Sequence, residues 1–423
     1  MARKQPKKRA ALPHAARSPS LASLSSLPRM PILPRLPRDA HDDHSTAAVL
    51  ARRELVRAAT GVEFELVAGA PAPLESARGK CESLIGFAQV PLGLAGPLAV
   101  DTTAGRREVY VPMATNEGAL VASHSRGMRL LAAAGGARSR VVREGLTQVP
   151  IFVYANAERA LAARARVLRA EKSFTKLVAG TTRHGKLVRV LADVVGRRLV
   201  VELTFTTGDA IGINMAARAT ELVAARIAKS TRALEHALHG QDVEKRANAR
   251  ATYEGRGRSV VCDATIPRAA LAALARTTPE DLRALWHTYQ VGFARLGTQN
   301  QCVQSANGLA AVLLACGQDV AYLPECATGF LDLDVAADGA LYASVTLPSL
   351  LVGTVGGGSQ KGTAVECLRL LGCEGAGGAN TFAELLGAVV LAGDLSLMAA
   401  FATHEFVAAH EKLGRNRPVR PVR

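Results

Sequence analysis

The sequence predicts an α+β protein of two or three domains, and three observations carry that prediction. The chain has 423 residues, enough for more than one buried core. Between Val141 and Leu238, strand-like alternation flanks helical stretches, the pattern of a small α+β domain. Apolar residues make up 48% and aromatics only 4%, so the core is built from Ala, Leu and Val and offers no stacking surface for nucleic acid.

The elements follow in order. After a linker, Ser45 or Thr46 is placed to cap a helix that Gly61 stops. Cys81–Val100 is apolar and punctuated by Gly and Pro, which predicts a buried loop and strands. Alternation at Arg106–Val111 predicts a strand, and Met113–Gly135 turns helical with Glu117 at or near its start. Strands around a polar helix at Ala157–Lys172 lead to "TFTTGDAIGINM", Thr204–Met215, where a strand stops at a Gly and opens onto a helix over Met215–Leu238. His239–Pro267 reads as a polar loop entering a strand. Helices are expected at Arg268–Thr277, Pro279–Leu296 and Asn307–Asp319, the last ending in Gly317. Leu341–Ser359 reads as a strand and a Gly-rich loop, Gly372–Ala402 as two small-residue helices, and the C-terminus as a helix with a basic end. No internal repeat is visible.

The formal charge of +16 is unevenly placed. Residues 1–38 hold nine Lys/Arg, seven of the 19 prolines and no acid, which leaves about +7 for the rest. Such a segment cannot bury enough apolar surface to fold, so it reads as a disordered tail. Its basic, Ser-containing, acid-free composition also suits a transit peptide, and it has no continuous apolar run of a secretory signal. The seven cysteines are scattered without CxxC, which predicts reduced thiols, no zinc site and no disulfide framework. The longest apolar stretch, Leu385–Ala402, is cut by Asp394 and two glycines, so no membrane span is expected.

Five features could carry chemistry. In the turn that follows Thr206, Gly208 and Gly212 free backbone amides ahead of a helix, a start that binds anions; a plain turn capped by Asp209 is the alternative. "GTTRHGKL" offers a Thr–Arg pair suited to a second phosphate, although such a pair is often only a solvated face. Glu117 in "PMATNEGALVAS" has apolar sequence neighbours, and a carboxylate in such surroundings can donate a proton; a helix-capping Glu is the other reading. Asp319 closes an apolar helix at its negative end, an unfavourable place that a cation such as Lys245 or Arg246 would relieve. His410 near the C-terminus is either a surface residue or a general acid that swings over a site. No metal-ligand spacing and no nucleophile elbow occur.

Together and in this order, these stretches resemble the class I form of the hydroxymethylglutaryl-CoA reductase family. The resemblance runs from about Pro37 to Arg415 and rests on "ESLIGFAQVPLGLAGPL", "PMATNEGALVAS", "TTRHGKL", "TTGDAIGINM", "EGRGRSVVCDA", "NGLAAVLLACGQD" and "TLPSLLVGTVGGGS". It implies a small helical domain at 39–82 and a large α/β domain around a central helix at 83–140 and 248–415. It also implies an inserted ferredoxin-like, non-Rossmann NADP-binding domain at 141–238 and a connecting loop at 239–247, followed by a basic end at 416–423. The implied reaction is reduction of 3-hydroxy-3-methylglutaryl-CoA to mevalonate and CoA by two NADPH. The implied assembly is a homodimer, or a set of dimers, with sites at the interface, located in the cytoplasm.

By the same resemblance, Lys245 stabilises the oxyanion, Glu117 donates a proton, Asp319 lies between them, and His410 protonates the leaving thiolate. Thr182 and Arg183 match the pair on the NADP 2′-phosphate; Asp209, Gly212 and Asn214 match the cofactor turn, and Gly356, Gly357 and Gly358 a loop beside it. Arg140, Glu244, Arg246 and Asn307 fall on the substrate side. Departures cluster there. Glu244 stands for Asp, Arg246 for Lys, Cys302 for Asn, Gln304 for His, and Asp394 for Glu; "LHGQDV" is unlike the family's loop, and "LWHTYQVG" lacks its second substrate lysine. A reductase of a related acyl-CoA, or a weakly active or inactive binding paralogue, is therefore the alternative. A tail that binds RNA or membranes is the alternative of another class.

Overall fold

In the computed structural model, the described residues are 33–39, 42–70, 72–182, 184–240, 244–407 and 411. All of them belong to the unit Leu33–Arg423. The expected disordered tail therefore lies almost wholly outside the described residues, and the expected C-terminal helix lies largely so.

Helix α1 (Thr46–Thr60) starts where Ser45 Oγ accepts from Ala48 N at 3.2 Å and stops at Gly61, whose φ of 71° favours glycine. The following stretch is pinned by the Glu366 carboxylate, which accepts the amides of Glu65, Leu66 and Val67 at 2.8–3.0 Å. Val56, Val62, Tyr110 and Leu370 close a small apolar cluster beneath it.

Next come β1 (Leu92–Thr102), β2 (Gly105–Ala114), α2 (Leu120–Ala133) and β3 (Ala137–Gln148). Strand β1 pairs antiparallel with β2 and parallel with β3. The segment before β1 corrects the expectation of a buried loop: Cys81–Gln89 is irregular and mostly exposed, Ile85 fully so. Among the described residues no regular element covers it, so most of its apolar residues stay exposed despite the composition.

Strand β3 belongs to two sheets. Its residues Arg138–Gly145 pair with β8, and Leu146–Gln148 pair with β6. The smaller sheet is then built from β4 (Ile151–Val153), α3 (Ala157–Arg169), α4 (Glu171–Ala179), β5 (Lys186–Val195), β6 (Arg198–Thr206), α5 (Ile213–Thr231) and β7 (Glu235–Ala237). The end of β3 and β4 run as one edge along β6, so the chain order is βαββαβ and the spatial order β7–β4–β6–β5, a ferredoxin-like layer. The expected polar helix at 157–172 divides at Ala170, where α3 ends and α4 begins.

The chain returns through α6 (Ala249–Glu254) to β8 (Gly257–Ile266), α7 (Arg268–Ala275), α8 (Pro279–Leu296), α9 (Ser305–Ala315), α10 (Leu323–Cys326), β9 (Phe330–Val335), β10 (Leu341–Leu350), α11 (Thr363–Leu370) and α12 (Ala379–Ala402). The larger sheet has the order β2–β1–β3–β8–β10–β9. The two helices expected over Gly372–Ala402 are one 24-residue helix, because the Gly-rich stretch ends before Ala379 and nothing breaks the run afterwards. By length and composition α12 could cross a membrane, but 83% of its apolar window is buried inside the fold. It packs on α2 so closely that a Cβ at Gly127 would lie 1.8 Å from the Ala392 carbonyl oxygen.

Two acids sit inside this apolar helix, and each ties down backbone elsewhere. Glu384 accepts from Thr103 N, Thr103 Oγ1 and Val141 N at 2.6–2.9 Å. Asp394 accepts from Val303 N at 3.1 Å and Gln304 N at 2.8 Å, just ahead of α9. A buried carboxylate is tolerated only when hydrogen-bonded in this way.

Candidate active site

The turn Thr207–Gly212 links β6 to α5. Gly208 and Gly212 have φ of 60° and 83°, and at Gly212 a Cβ would fall 2.4 Å from the Thr207 side chain. Helix α5 starts at this Gly with no side-chain cap, so its first amides are left to a ligand or to water, and Asn214 is exposed there. The Gly-rich loop after β10 meets the turn backbone to backbone: Thr354 N and Val355 N donate to the Asp209 carbonyl at 2.8 and 3.1 Å. That approach needs Gly353, where a Cβ would lie 2.7 Å from Ile211 N. Gly356 and Gly357 have φ of 77° and 57° with open space around them. Gly358 packs on Gly317, where a Cβ would meet the carbonyl oxygen at 2.4 Å.

The Asp209 carboxylate is engaged within the fold, accepting from Gly377 N at 2.8 Å and Ala379 N at 3.2 Å at the start of α12. Thr182 Oγ1 likewise holds its own turn, accepting from His184 N and Gly185 N at 3.2 and 3.1 Å. Arg183 lies outside the described residues.

Beyond α9, Gly317 turns the chain and Asp319 caps the next turn through Ala321 N at 3.0 Å. This corrects the reading of a misplaced acid: α9 ends at Ala315, so Asp319 sits at the amide end of a new turn, not at the negative end of a helix. The expected cation is present. Lys245 Nζ lies 3.2 Å from Asp319 Oδ2, with both side chains about half exposed. It also lies 5.0 Å from the Tyr322 ring centre.

Lys245 has a φ of 60°, unusual for a side chain with a Cβ. Its backbone amide donates to the buried carboxylate of Glu325, which also receives both Arg256 Nη1 contacts at 3.0 Å. Burial pushes the Glu325 carboxyl up, and Arg256 opposes the shift. Next to Lys245, the Glu244 carboxylate accepts from Arg256 Nη2 at 3.2 Å, Gln148 Nε2 at 3.1 Å and Tyr322 Oη at 3.4 Å. The Tyr322 phenol is pushed well up by burial and by Glu244. Arg246 is exposed and turns its carbonyl to Asn248 Nδ2 at 3.1 Å.

Glu117 lies at the other end of α9. Asn307 Nδ2 donates to its two oxygens at 3.0 and 2.9 Å. The apolar surroundings expected from its sequence neighbours are absent: Glu117 is exposed in the loop between β2 and α2, while Met113 and Leu120 turn to the core. Asp319 contacts Lys245 and not Glu117. Glu117 is bonded to Asn307 near the start of α9 and Asp319 to Lys245, and among the described residues no hydrogen bond or ion pair joins the two groups. Arg140 is also apart from both clusters, its guanidinium bound to Asp101 on β1 at 2.6 and 2.7 Å. His410 lies outside the described residues. No group of three or more His, Cys, Asp or Glu able to hold a metal occurs among the described residues.

The model of the hydroxymethylglutaryl-coenzyme A reductase family matches residues 48–415. The chain belongs to this family. The 3-hydroxy-3-methylglutaryl-coenzyme A reductase of Methanothermobacter thermautotrophicus is 38% identical to it, over 87% of this chain and 94% of the relative. That of Haloferax volcanii is 39% identical, over 87% and 93%. Among solved structures, the class II 3-hydroxy-3-methylglutaryl-CoA reductase of Streptococcus pneumoniae, bound to NADPH in open conformations, is similar with a TM-score of 0.69. It is 20% identical over 83% of this chain and 96% of that one, a likeness of fold. Within this family fold, the motifs do not point to Gln148, Tyr322 and Glu325, and "EGRGRSVVCDA" contains Arg256 without assigning it a role. Glu325 leaves one signal, a lone acid in the otherwise uncharged "YLPECATGF".

Proposed function

We propose that the chain reduces the thioester of 3-hydroxy-3-methylglutaryl-CoA to mevalonate and free CoA, using NADPH. The observation that carries the chemistry is the Lys245–Asp319 pair, a cation held by a carboxylate beside two glycine loops that meet backbone to backbone. The uncapped start of α5, Gly212, Gly356 and Gly357 fit the phosphates of a dinucleotide, Thr182 and Asn214 belong to the same side, and Arg183 is assigned to the 2′-phosphate by its motif alone. NADPH, when bound, supplies the two hydrides.

The residues divide the remaining work. The Lys245 ammonium stabilises the oxyanion formed on the thioester oxygen, and again on the aldehyde oxygen. When the C–S bond breaks, His410 protonates the departing thiolate. Glu117, held by Asn307, gives a proton to the alcohol oxygen after the second reduction. Glu244 and Arg246 face the acyl substrate. Arg140, assigned to the same side, is tied to Asp101 at 2.7 Å.

That Glu117 and Lys245 share no hydrogen bond or ion pair among the described residues is compatible with a homodimer in which one chain contributes Glu117 and its partner Lys245. The class I reading rests on the seven motifs quoted above. The domain limits are read in the same way, with β3 running through the first junction. Free and mostly buried cysteines support a cytoplasmic setting.

The test is substrate-dependent loss of nicotinamide absorbance with purified protein, with free thiol counted in parallel. Two NADPH oxidised per CoA released is the expected result. Oxidation with a different acyl-CoA but not with this one would overturn the substrate, and none with any acyl-CoA would overturn the enzyme.

A further inference from the structure

We infer that Glu325, Arg256 and Tyr322 are positioning residues that together fix where the Lys245 ammonium stands. This rests on the reading of Lys245 as the oxyanion-stabilising group. Lys245 lies between β7 and α6 in no regular element, with its side chain half exposed. A lysine in the left-handed region is strained and persists only where its surroundings impose it. Here three contacts hold it. The Lys245 amide donates to Glu325, and its ammonium lies over the Tyr322 ring while paired to Asp319.

The support is rigid because it is buried. The Arg256 side chain is 3% exposed and that of Glu325 0%, and the guanidinium contacts both Glu325 oxygens. Arg256 is itself fixed at its backbone, where its amide donates to Ser349 Oγ at 3.0 Å at the end of β10. Glu325 belongs to α10, three residues beyond Tyr322, so one short segment presents the carboxylate to the Lys245 backbone and the ring to its side chain. The same Arg256 also reaches Glu244 at 3.2 Å. Two adjacent residues of the loop are thus registered on one buried guanidinium and its carboxylate partner. None of the three touches a reacting atom in this arrangement; they act through Lys245.

The test uses the full chain and four variants. Tyr322→Phe keeps the ring and is expected to hold kcat within about threefold, whereas Tyr322→Leu removes it and lowers kcat about tenfold. Glu325→Gln keeps an acceptor for the Lys245 amide and is expected to lower kcat less than the loss of that acceptor. The paired change Arg256→Met with Glu325→Met removes both buried charges at once, which a fold tolerates better than removing one. It leaves the amide without an acceptor, and kcat is expected to fall about a hundredfold as the ammonium shifts. In every variant the KM for NADPH stays near that of the parent, and labelling of Lys245 by an amine reagent, followed by peptide mass, changes in rate only where kcat falls. A merely structural role would move NADPH affinity and thermal midpoint and would not be rescued by Tyr322→Phe. Parental kcat in both Tyr322→Leu and the paired variant overturns the proposal; should the paired variant not fold, the Tyr322 pair decides alone. Turnover that survives Lys245→Met would instead overturn the underlying reading.

Discussion

At the scale of single residues, Lys245 and Asp319 show how a weak sequence feature becomes a site. An exposed ion pair is worth little to stability, commonly below about 1 kcal/mol, so the 3.2 Å contact is not there to hold the fold together. The expected outcome for Lys245→Met is an unchanged unfolding midpoint with kcat down by at least about a hundredfold, the usual scale for removing one oxyanion donor. A variant equally impaired in stability and turnover would place Lys245 in the scaffold instead. The pairing itself is legible in the sequence, because "GQD" follows an apolar helical run and "EKR" supplies cations. Its physical cause is not the helix dipole that the sequence suggests, since Asp319 caps a new turn.

At the scale of elements, the glycine loop and the TTGDAIG turn must touch. Gly353→Ala would place a Cβ 2.7 Å from Ile211 N and 2.9 Å from the Ala210 carbonyl carbon, backbone atoms that cannot rotate away. It is expected to weaken NADPH binding by about tenfold or more, since overpacking of this kind costs typically about 1–3 kcal/mol. Fluorescence titration of the nicotinamide measures this directly. An unchanged Kd would separate the loop from the cofactor.

The junction of α2, α9 and α12 holds two buried titrating groups with opposite signs. Burial pushes the Asp394 carboxyl up from 3.8 to about 6, and pushes the His124 imidazole down from 6.5 to about 4. A raised carboxyl favours the folded state at low pH, and that advantage is lost as pH rises from about 4 to about 6. A depressed imidazole favours the folded state above its unfolded pKa, and that advantage is lost as pH falls from 6.5 to about 4. Each shift of about two units corresponds to about 3 kcal/mol. Relative to the parent, Asp394→Asn is therefore expected to gain stability as pH rises through this window, and His124→Asn to lose it. Denaturant midpoints taken between about pH 4 and 7 read the two slopes, and slopes of equal sign would refute the assignment.

What the sequence discloses at this scale is uneven for a physical reason. Helix starts and stops such as Ser45 and Gly61 depend on near neighbours and are readable. So is the strand–turn–helix at Thr204–Met215. The jobs of Asp209, Glu384 and Asp394 are not, because these carboxylates serve backbone amides 168, 243 and 90 residues away. The same holds for Glu325, whose meaning comes from Lys245 and Arg256 across the fold. Exposure of Ile85 and Glu117 escapes the sequence because apolar neighbours do not guarantee burial when no element covers the loop.

For the whole molecule, the geometry that matters is that Glu117 and the Lys245–Asp319 pair share no hydrogen bond or ion pair among the described residues. Within one chain, Glu117 is gripped by Asn307 near the start of α9, while Lys245 and Asp319 meet beyond its end. In the homodimer proposed above, one partner supplies Glu117 and the other Lys245 to each site. This has a quantitative consequence that a single-chain site does not share. Glu117→Gln and Lys245→Met should each be inactive alone. When the two are co-refolded in equal amounts, half of the dimers are mixed, and one of the two sites in each mixed dimer carries neither substitution. The mixture should therefore recover roughly one quarter of the parental rate. Recovery should grow as the mixture is allowed to exchange subunits, and it should be absent when every chain carries both substitutions. If the mixture stays inactive after exchange has been verified by mass, both groups must act from the same chain and the composite site is wrong.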